Sequence, residues 1–360
     1  MSCEPSMTPQ IPPRRIAVVL GMHRSGTSVM TRALELMGAG FGDNLLPPVP
    51  GVNPKGFFED MQIIYLNDRL LETVNADWLN SCDTSAIDWP TLIQGEWGDV
   101  ARRYLETQMS CHPLYCFKDP RTARTLPFWK AIFAQLNVDP IFVIAHRNPM
   151  SIAASLENRD KIPPLKSYWL WIEHHLAALQ ETEGFPRLVV GYERMLADPK
   201  REVYRIARLF GVGTPSPEMM EEFERGFLDE SLAHSSLEEV PVLDDEAPAV
   251  AQKLYVLSHR LARDEISIDS DELKDAIVSI REDLAARGDL IAIMHHQDQE
   301  LYQLHRLARE GLQHSQEHAQ LRHQVAALTA QLRAVSDSPL WRVTEPLRKL
   351  KRILRQSNVA

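Results

Sequence analysis

Gly21-Met22-His23-Arg24-Ser25-Gly26-Thr27-Ser28 follows the apolar run Ile16-Ala17-Val18-Val19-Leu20 and precedes apolar residues at Val29, Met30, Ala33, Leu34 and Met37. A β-branched run, a loop with two glycines and a helical apolar period read as strand, turn and helix. Gly21 and Gly26 open backbone torsions closed to other residues and let amides approach a ligand. The helix start behind them offers free N–H donors and the positive end of a dipole, which together favour an anion. Arg24, Thr27 and Ser28 add side-chain donors. The bland alternative is an ordinary glycine-containing strand-to-helix turn.

The spacing fits Gly-x4-Gly-x-Ser/Thr, but Thr27 stands where a nucleotide-triphosphate P-loop carries lysine. Without that lysine the loop lacks the point charge that reaches between β- and γ-phosphates. A phosphate-binding loop remains, suited to a smaller charge load.

The chain has 360 residues, 44% of them apolar and 24% charged, the balance of a globular protein with a sizeable core. Its length suits one large α/β unit plus an appendage. A formal net charge of −10 argues against a general nucleic-acid binder, which needs a basic surface. Cys3, Cys82, Cys111 and Cys116 show neither metal-ligand spacing nor the density of a disulfide scaffold, so reduced thiols are expected. Residues 1–15 are polar and proline-bearing, without the apolar stretch of a signal peptide. No run of about 18 apolar residues stands out as a membrane span. A cytoplasmic protein is expected.

Further along, residues 43–56 form a proline- and glycine-rich loop able to lie across a pocket. It delivers Gly56-Phe57-Phe58-Glu59-Asp60 to a helix with Ile63, Ile64, Leu66, Leu70 and Leu71. Residues 78–109 read as helices and loops. Leu114-Tyr115-Cys116-Phe117, Ile141-Phe142-Val143-Ile144-Ala145 and Leu188-Val189-Val190 read as three more strands, the middle one buried on both faces. Pro149 suits the first turn of a helix, and Asp198, Pro199 and Gly211 bracket another. Strands alternating with helices imply an α/β fold, a P-loop-like parallel sheet with right-handed crossovers and flanking helices. Ligands in such sheets bind beyond the carboxyl ends of the strands, where Arg24, Lys118 and Arg147 fall.

Four segments are expected: a flexible N-terminus (1–14), the α/β domain (15–235), a helical extension (236–335) and a basic tail (336–360). Between 304 and 335 an apolar seam with heptad spacing runs through Leu304, Leu307, Leu321, Val325, Leu328, Leu332 and Val335, weakened by Gly311, His314 and His318. It reads either as a coiled coil, a route to a homo-oligomer, or as one amphipathic helix packed on the domain. Leu347, Leu350, Ile353 and Leu354 alternate with Arg348, Lys349, Lys351, Arg352 and Arg355. Such a basic amphipathic end reads as peripheral contact with a membrane surface, or as a solvated helix closing a coiled coil.

Gly-x-x-Arg-Ser-Gly-Thr-Ser at the end of a first strand resembles the 5′-phosphosulfate loop of sulfotransferases that use 3′-phosphoadenosine 5′-phosphosulfate. In that family an arginine ending a strand and a serine eight residues on hold the 3′-phosphate, and Arg147 and Ser155 stand at that spacing. Arg159 resembles a third position used in the protein-tyrosine and Golgi-type branches. Phe117-Lys118-Asp119-Pro120-Arg121 is similar to the segment carrying a catalytic lysine in the tyrosylprotein branch. Gly56-Phe57-Phe58-Glu59 resembles bacterial members that act on carbohydrates. The likeness spans about 15–212 and implies a P-loop-like fold, that co-substrate and no metal. Independently of the family, Ser155 and Arg159 lie at i and i+4, so they and Arg147 can converge on one anion.

Sulfuryl transfer needs a base, charge stabilisation, a donor to the leaving phosphate and exclusion of water. The catalytic candidates are Glu59 as base, Lys118 as donor and Arg24. The binding candidates are Gly21, His23, Arg24, Ser25, Gly26, Thr27, Ser28, Arg147, Ser155 and Arg159. Asp60 is the alternative base, and either acid could instead serve a helix N-terminus. His23 titrates in the right range but faces the donor. Lys118 could simply pair with Asp119, and Arg121 and Arg124 could bind an acidic acceptor or pair structurally. Adjacent His174-His175 and His295-His296 read as surface or packing residues. The acceptor is expected to bear a hydroxyl, as on a sugar or glycolipid, and to contact the 43–56 loop and the helix around Trp169 and Trp171. Two rivals remain: a P-loop kinase or NTPase with Asp119 on magnesium, and a non-catalytic, membrane-associated scaffold.

Overall fold

The run from Ile16 to Leu20 is wholly inaccessible to solvent, which a strand achieves only when both faces and both edges are covered. The computed structural model, which describes residues 15–49, 56–228, 242–310, 327–330 and 333, shows how. Strand β1 (Arg15–Leu20) sits between β2 (Leu114–Lys118) and β3 (Pro140–His146), and β4 (Arg187–Gly191) follows β3. The sheet order is β2-β1-β3-β4 and every pairing is parallel. All four expected strands form. The chain adds strands to one side of β1 and then to the other, so β1 and β3 flank a topological switch point.

The connecting elements are α1 (Thr27–Leu36), α2 (Met61–Glu72), a 3-10 turn (Thr84–Ala86), α3 (Trp89–Gln94), α4 (Glu96–Cys111), α5 (Thr122–Gln135), α6 (Pro149–Asp160) and α7 (Pro164–Glu181). After β4 come α8 (Tyr192–Ala197), α9 (Pro199–Phe210), α10 (Pro217–Phe227), α11 (Ala249–Ala262), α12 (Asp271–Ala285) and α13 (Gly288–Glu310). Helix starts follow the sequence signals. Asn148 and Asp198 cap α6 and α9 through their side chains, each followed by proline. Gly211 closes α9 at φ 61°, a torsion that favours glycine.

One sheet face, with Ala17, Val19, Val143, Ala145 and Val190, packs against Met30, Ala33 and Leu34 of α1 and Val203, Ile206 and Phe210 of α9. On the other face Phe117 lies 5.4 Å from Trp129 and 6.3 Å from Phe133 of α5. Burying one such side chain contributes about 1.5–3 kcal/mol, so the strands read as unbroken apolar runs. The outer edge of β2 is covered by Gly40, whose N–H donates to Leu114 and whose carbonyl accepts from Cys116.

The chain divides into two units, 1–291 and 292–360, and the sheet and α1–α12 belong to the first. Leu304 and Leu307 of the heptad seam lie in α13 and Leu328 is helical. Gly311, His314, His318, Leu321, Val325, Leu332 and Val335, the basic tail, residues 1–14 and residues 50–55 of the proline-rich loop lie outside the described residues. No helix among the described residues is long and apolar enough to cross a membrane.

The acceptor is expected at the helix around Trp169 and Trp171, but neither tryptophan side chain is open to it. They are 8% and 1% exposed on α7, inside the protein, because α7 is apolar around most of its circumference. His174 and His175 are packing residues: His174 Nδ1 meets the Leu170 carbonyl at 2.7 Å, and His175 Nε2 meets Ser258 Oγ at 2.8 Å.

Burial holds the His146, His174 and His175 imidazoles below their ordinary pKa of 6.5, His175 at about 4. They stay neutral in the fold while the unfolded chain takes up protons. Stability is therefore expected to fall as pH drops below about 6.5, by about 1.4 kcal/mol per pH unit for each of them. Asp68, raised to about 6 chiefly by burial, works in the opposite sense below that pH and offsets only part of the loss. Urea unfolding at about pH 7.5 and about pH 5.5 checks the sign.

Candidate functional site

The turn after β1 is shaped by contacts that leave no room for larger residues. The register pairs Leu20 with Ile144, so Gly21, at φ 145°, lies against β3, where a Cβ would come within 3.1 Å of the Ala145 carbonyl oxygen. Arg24 is left-handed at φ 68°. Gly26, at φ 85°, faces Tyr192, and a Cβ there would fall 2.3 Å from its ring. Ser25 Oγ donates to the Met22 carbonyl at 2.6 Å, so its hydroxyl closes the loop on itself. Gly26 is also the N-cap of α1 and supplies no side-chain cap. The first amides of α1 therefore open, together with the dipole, into the mouth of the sheet. Thr27 is buried, and Ser28 Oγ reaches the Phe57 carbonyl at 3.4 Å.

The second motif meets the first directly. Arg147, following β3, donates from one terminal nitrogen to the Arg24 carbonyl at 2.8 Å, and Arg24 Nε donates to Ser155 Oγ on α6 at 2.8 Å. Arg24, assigned from sequence to the first anion site, thus spans to the second, because β1 and β3 are neighbours and the side chain is long enough to cross. Arg159 lies over the Trp78 ring at 5.8 Å and pairs with Asp160 at 2.6 Å. Burial, then the Arg159 and Arg147 charges, lower the pKa of Arg24. Cations crowded in this way with little water favour an anionic ligand between them. Arg147 Nε is buried without a partner among the described residues.

His23 stacks on Trp78 with ring centroids 4.6 Å apart. Its Nδ1 has no partner among the described residues. Burial first, then Arg121, His174, Lys118 and Arg159, hold its pKa well below the usual value. His23 is therefore a neutral, packed ring of the loop.

Glu59 and Lys118 form a buried ion pair, Nζ to Oε1 at 2.6 Å, with side chains 8% and 2% exposed. Lys118 ends β2 and Glu59 ends the stretch before α2, so residues 59 positions apart meet at the strand mouths. Asp60 does different work. Its carboxylate caps α2 by accepting from Gln62 N at 2.8 Å and Ile63 N at 3.4 Å, and it also accepts from the hydroxyls of Tyr104 and Tyr115. The helix-terminal reading thus holds for Asp60.

Lys118 does not pair with its neighbour. Asp119 accepts from Asn67 Nδ2 and from the Arg121 guanidinium, both at 2.8 Å, and Arg121 also meets Asp68 at 2.7 Å. Arg124 donates to the carbonyls of Asn80 and Asp77, each at 2.6 Å. Both arginines pair structurally, and the Asp119 expected on magnesium in the kinase reading is engaged by protein donors.

Sequence reasoning missed Tyr192, Trp78 and Asn67. Tyr192 lies against Gly26 and beneath the Arg147 guanidinium, 4.5 Å from its ring centroid. Its position directly after β4, a fourth strand end, was the available signal. Trp78 carried none, since it comes from a loop distant in sequence.

The sequence profile of the sulfotransferase family matches residues 17–216, more than half of the chain. The chain belongs to the sulfotransferase family. It is a sulfotransferase, and the family implies a sulfate donor and a hydroxyl-bearing acceptor. Two solved structures are similar to it. The sulfotransferase domain from the curacin biosynthetic pathway shares 16% identity at a TM-score of 0.40, covering 68% of this chain and 96% of that one. The sulfotransferase domain from the Synechococcus PCC 7002 olefin synthase shares 18% identity at a TM-score of 0.36, covering 76% and 95%. No curated protein matches the sulfotransferase in sequence.

Because Asp60 holds a helix start and two tyrosine hydroxyls, Asp60→Ala is expected to cost this sulfotransferase about 2–4 kcal/mol, about 1 from the cap and the rest from orphaned buried hydroxyls. Asp60→Asn, which keeps an acceptor, is expected to cost less. Chemical denaturation of the three proteins measures both.

Proposed function

We propose that this sulfotransferase moves a sulfuryl group from 3′-phosphoadenosine 5′-phosphosulfate to a hydroxyl of a carbohydrate or glycolipid. The observation that carries the reading is the meeting of Arg24, Arg147, Ser155 and the uncapped start of α1 at one switch-point crevice. The residues present fit that co-substrate. Arg147 Nε is a buried donor without a partner among the described residues, and the start of α1 carries no side-chain cap to occupy its first amides.

In this reading the loop 21–28, with Arg24, Thr27, Ser28 and the α1 amides, cradles the 5′-phosphosulfate, and Ser25 and His23 shape the loop. Arg147, Ser155 and Arg159 take the 3′-phosphate. The nucleotide supplies an activated sulfuryl group and a phosphate leaving group. Glu59 takes the proton from the acceptor hydroxyl as its oxygen bonds to sulfur in line with the leaving group. Lys118 donates to the bridging oxygen as the sulfur–oxygen bond breaks, leaving adenosine 3′,5′-bisphosphate. The ion pair between them holds both groups in place inside the protein until each turns to its own substrate.

The carbohydrate preference rests on Gly56-Phe57-Phe58-Glu59 and on the basic tail. That tail fits peripheral contact at the cytoplasmic membrane face, and the seam beyond 304 fits self-association. A catalytic domain of 15–235 completed by α11 of the extension, with a tail beyond, is the organisation that goes with this reading.

Calorimetry on the full chain is expected to show adenosine 3′,5′-bisphosphate binding and much weaker ATP binding, with or without magnesium. The reverse order would revive the kinase reading. Glu59→Gln and Lys118→Met are each expected to lower turnover by about 10²-fold or more, with bisphosphate affinity kept within about threefold, a difference under 1 kcal/mol. Full turnover in Glu59→Gln would remove Glu59 as the base.

A further inference from the structure

Strand β3 ends at His146, the residue before Arg147, and this ring points to the sheet face opposite α1. It is 2% exposed, and neither ring nitrogen has a partner among the described residues. What holds it is stacking. Tyr255 stacks on it at 5.4 Å with the planes 30° apart, His175 lies tilted by 49° at 5.5 Å, and His259 meets it edge-on at 6.2 Å. His175 is itself stacked on Trp171 at 5.2 Å. Tyr255, Ser258 and His259 stand at i, i+3 and i+4, one face of α11, and Ser258 Oγ completes the assembly by bonding His175 Nε2 at 2.8 Å.

Two facts give this stack a role beyond packing. First, α11 begins at Ala249, well past the family-matched segment that ends at residue 216. Second, the stack grips the chain at the point where it leaves the sheet for the crevice. Arg147 comes next, with its hydrogen bond to the Arg24 carbonyl. Asn148 follows, its N–H donating to Glu193 Oε1 at 3.2 Å and its side chain capping α6, which carries Ser155. A strand end is the least restrained part of a strand, and a recognition side chain must be held within about half an ångström of its working position.

We propose that α11 is part of the donor site: Tyr255, acting through His146, is a positioning residue for Arg147. The inference rests on the reading that Arg147 binds the donor nucleotide. Tyr255 touches no substrate. Its ring closes one side of the slot that keeps His146, and with it the start of the crevice wall, in a single orientation.

The test is calorimetric titration of the full chain with adenosine 3′,5′-bisphosphate, each variant checked for folding by circular dichroism. Tyr255→Ala is expected to weaken binding about tenfold, the scale of one misplaced charge-assisted hydrogen bond. Tyr255→Phe is expected to bind like the natural protein, because the ring and not the hydroxyl acts. Leu261→Ala, on the same helix and equally buried but away from the stack, is expected to leave affinity unchanged. Should Tyr255→Ala not fold, His146→Ala and His146→Phe ask the same question from the other ring, with loss expected only for alanine. Unchanged affinity in folded Tyr255→Ala, or an equal loss in Leu261→Ala, overturns the inference while the donor site stands. Failure of the natural protein to bind the bisphosphate removes the site reading and the inference with it.

Discussion

The hydrogen bond from Arg147 to the Arg24 carbonyl joins the two adjacent strand ends on which the crevice depends. It can form because β1 and β3 are neighbours at the point where the sheet changes direction, the place where open α/β sheets bind their ligands. Arg24 then crosses to Ser155, and Arg159 comes close enough for its charge to act on Arg24. Like charges at such separations repel, and partial burial removes the water that would screen them. The protein tolerates the repulsion because neighbouring β-sheet and helix hold the side chains in place. In the proposed reading, an anion between these cations relieves that repulsion.

Glu59 and Asp60 show how far adjacent carboxylates can differ. The chain at this point leaves a loop and starts α2, so consecutive side chains point in different directions. Asp60 accepts from the free amides of the helix, while Glu59 turns toward the end of β2 and Lys118. A capping carboxylate is held still by the amides that donate to it. A carboxylate paired with a lysine retains its charge inside the protein only while that partner stays, since an unpaired buried ion costs several kcal/mol. Proton transfer and leaving-group assistance are therefore linked through one contact in the proposed mechanism.

Residues 242–291, beyond the family-matched segment, are integral to the first unit. Helix α11 packs against β4, α7 and β3, Arg187 of β4 donates to the Ile268 carbonyl at 2.8 Å, and Tyr168 of α7 donates to Asp244 at 2.7 Å. A sheet whose strands are apolar on both faces needs helices on both, wherever in the chain they come from. Here the last cover is drawn from residues after 242.

Local patterns were enough for the strands, the glycine turn, the caps at Asn148 and Asp198, and the cations at three strand ends, since each depends on residues within about ten positions of one another. The motif spacing also carried the family. What only the folded chain decided was pairing across long separations: Lys118 with Glu59 rather than with Asp119, Arg24 with Ser155, Tyr192 under Arg147, and the burial of Trp169 and Trp171. A residue's type states what it can bond to, but which partner it meets depends on strand order and on which helix covers which face. That information is spread over the whole chain and is settled only when the core packs.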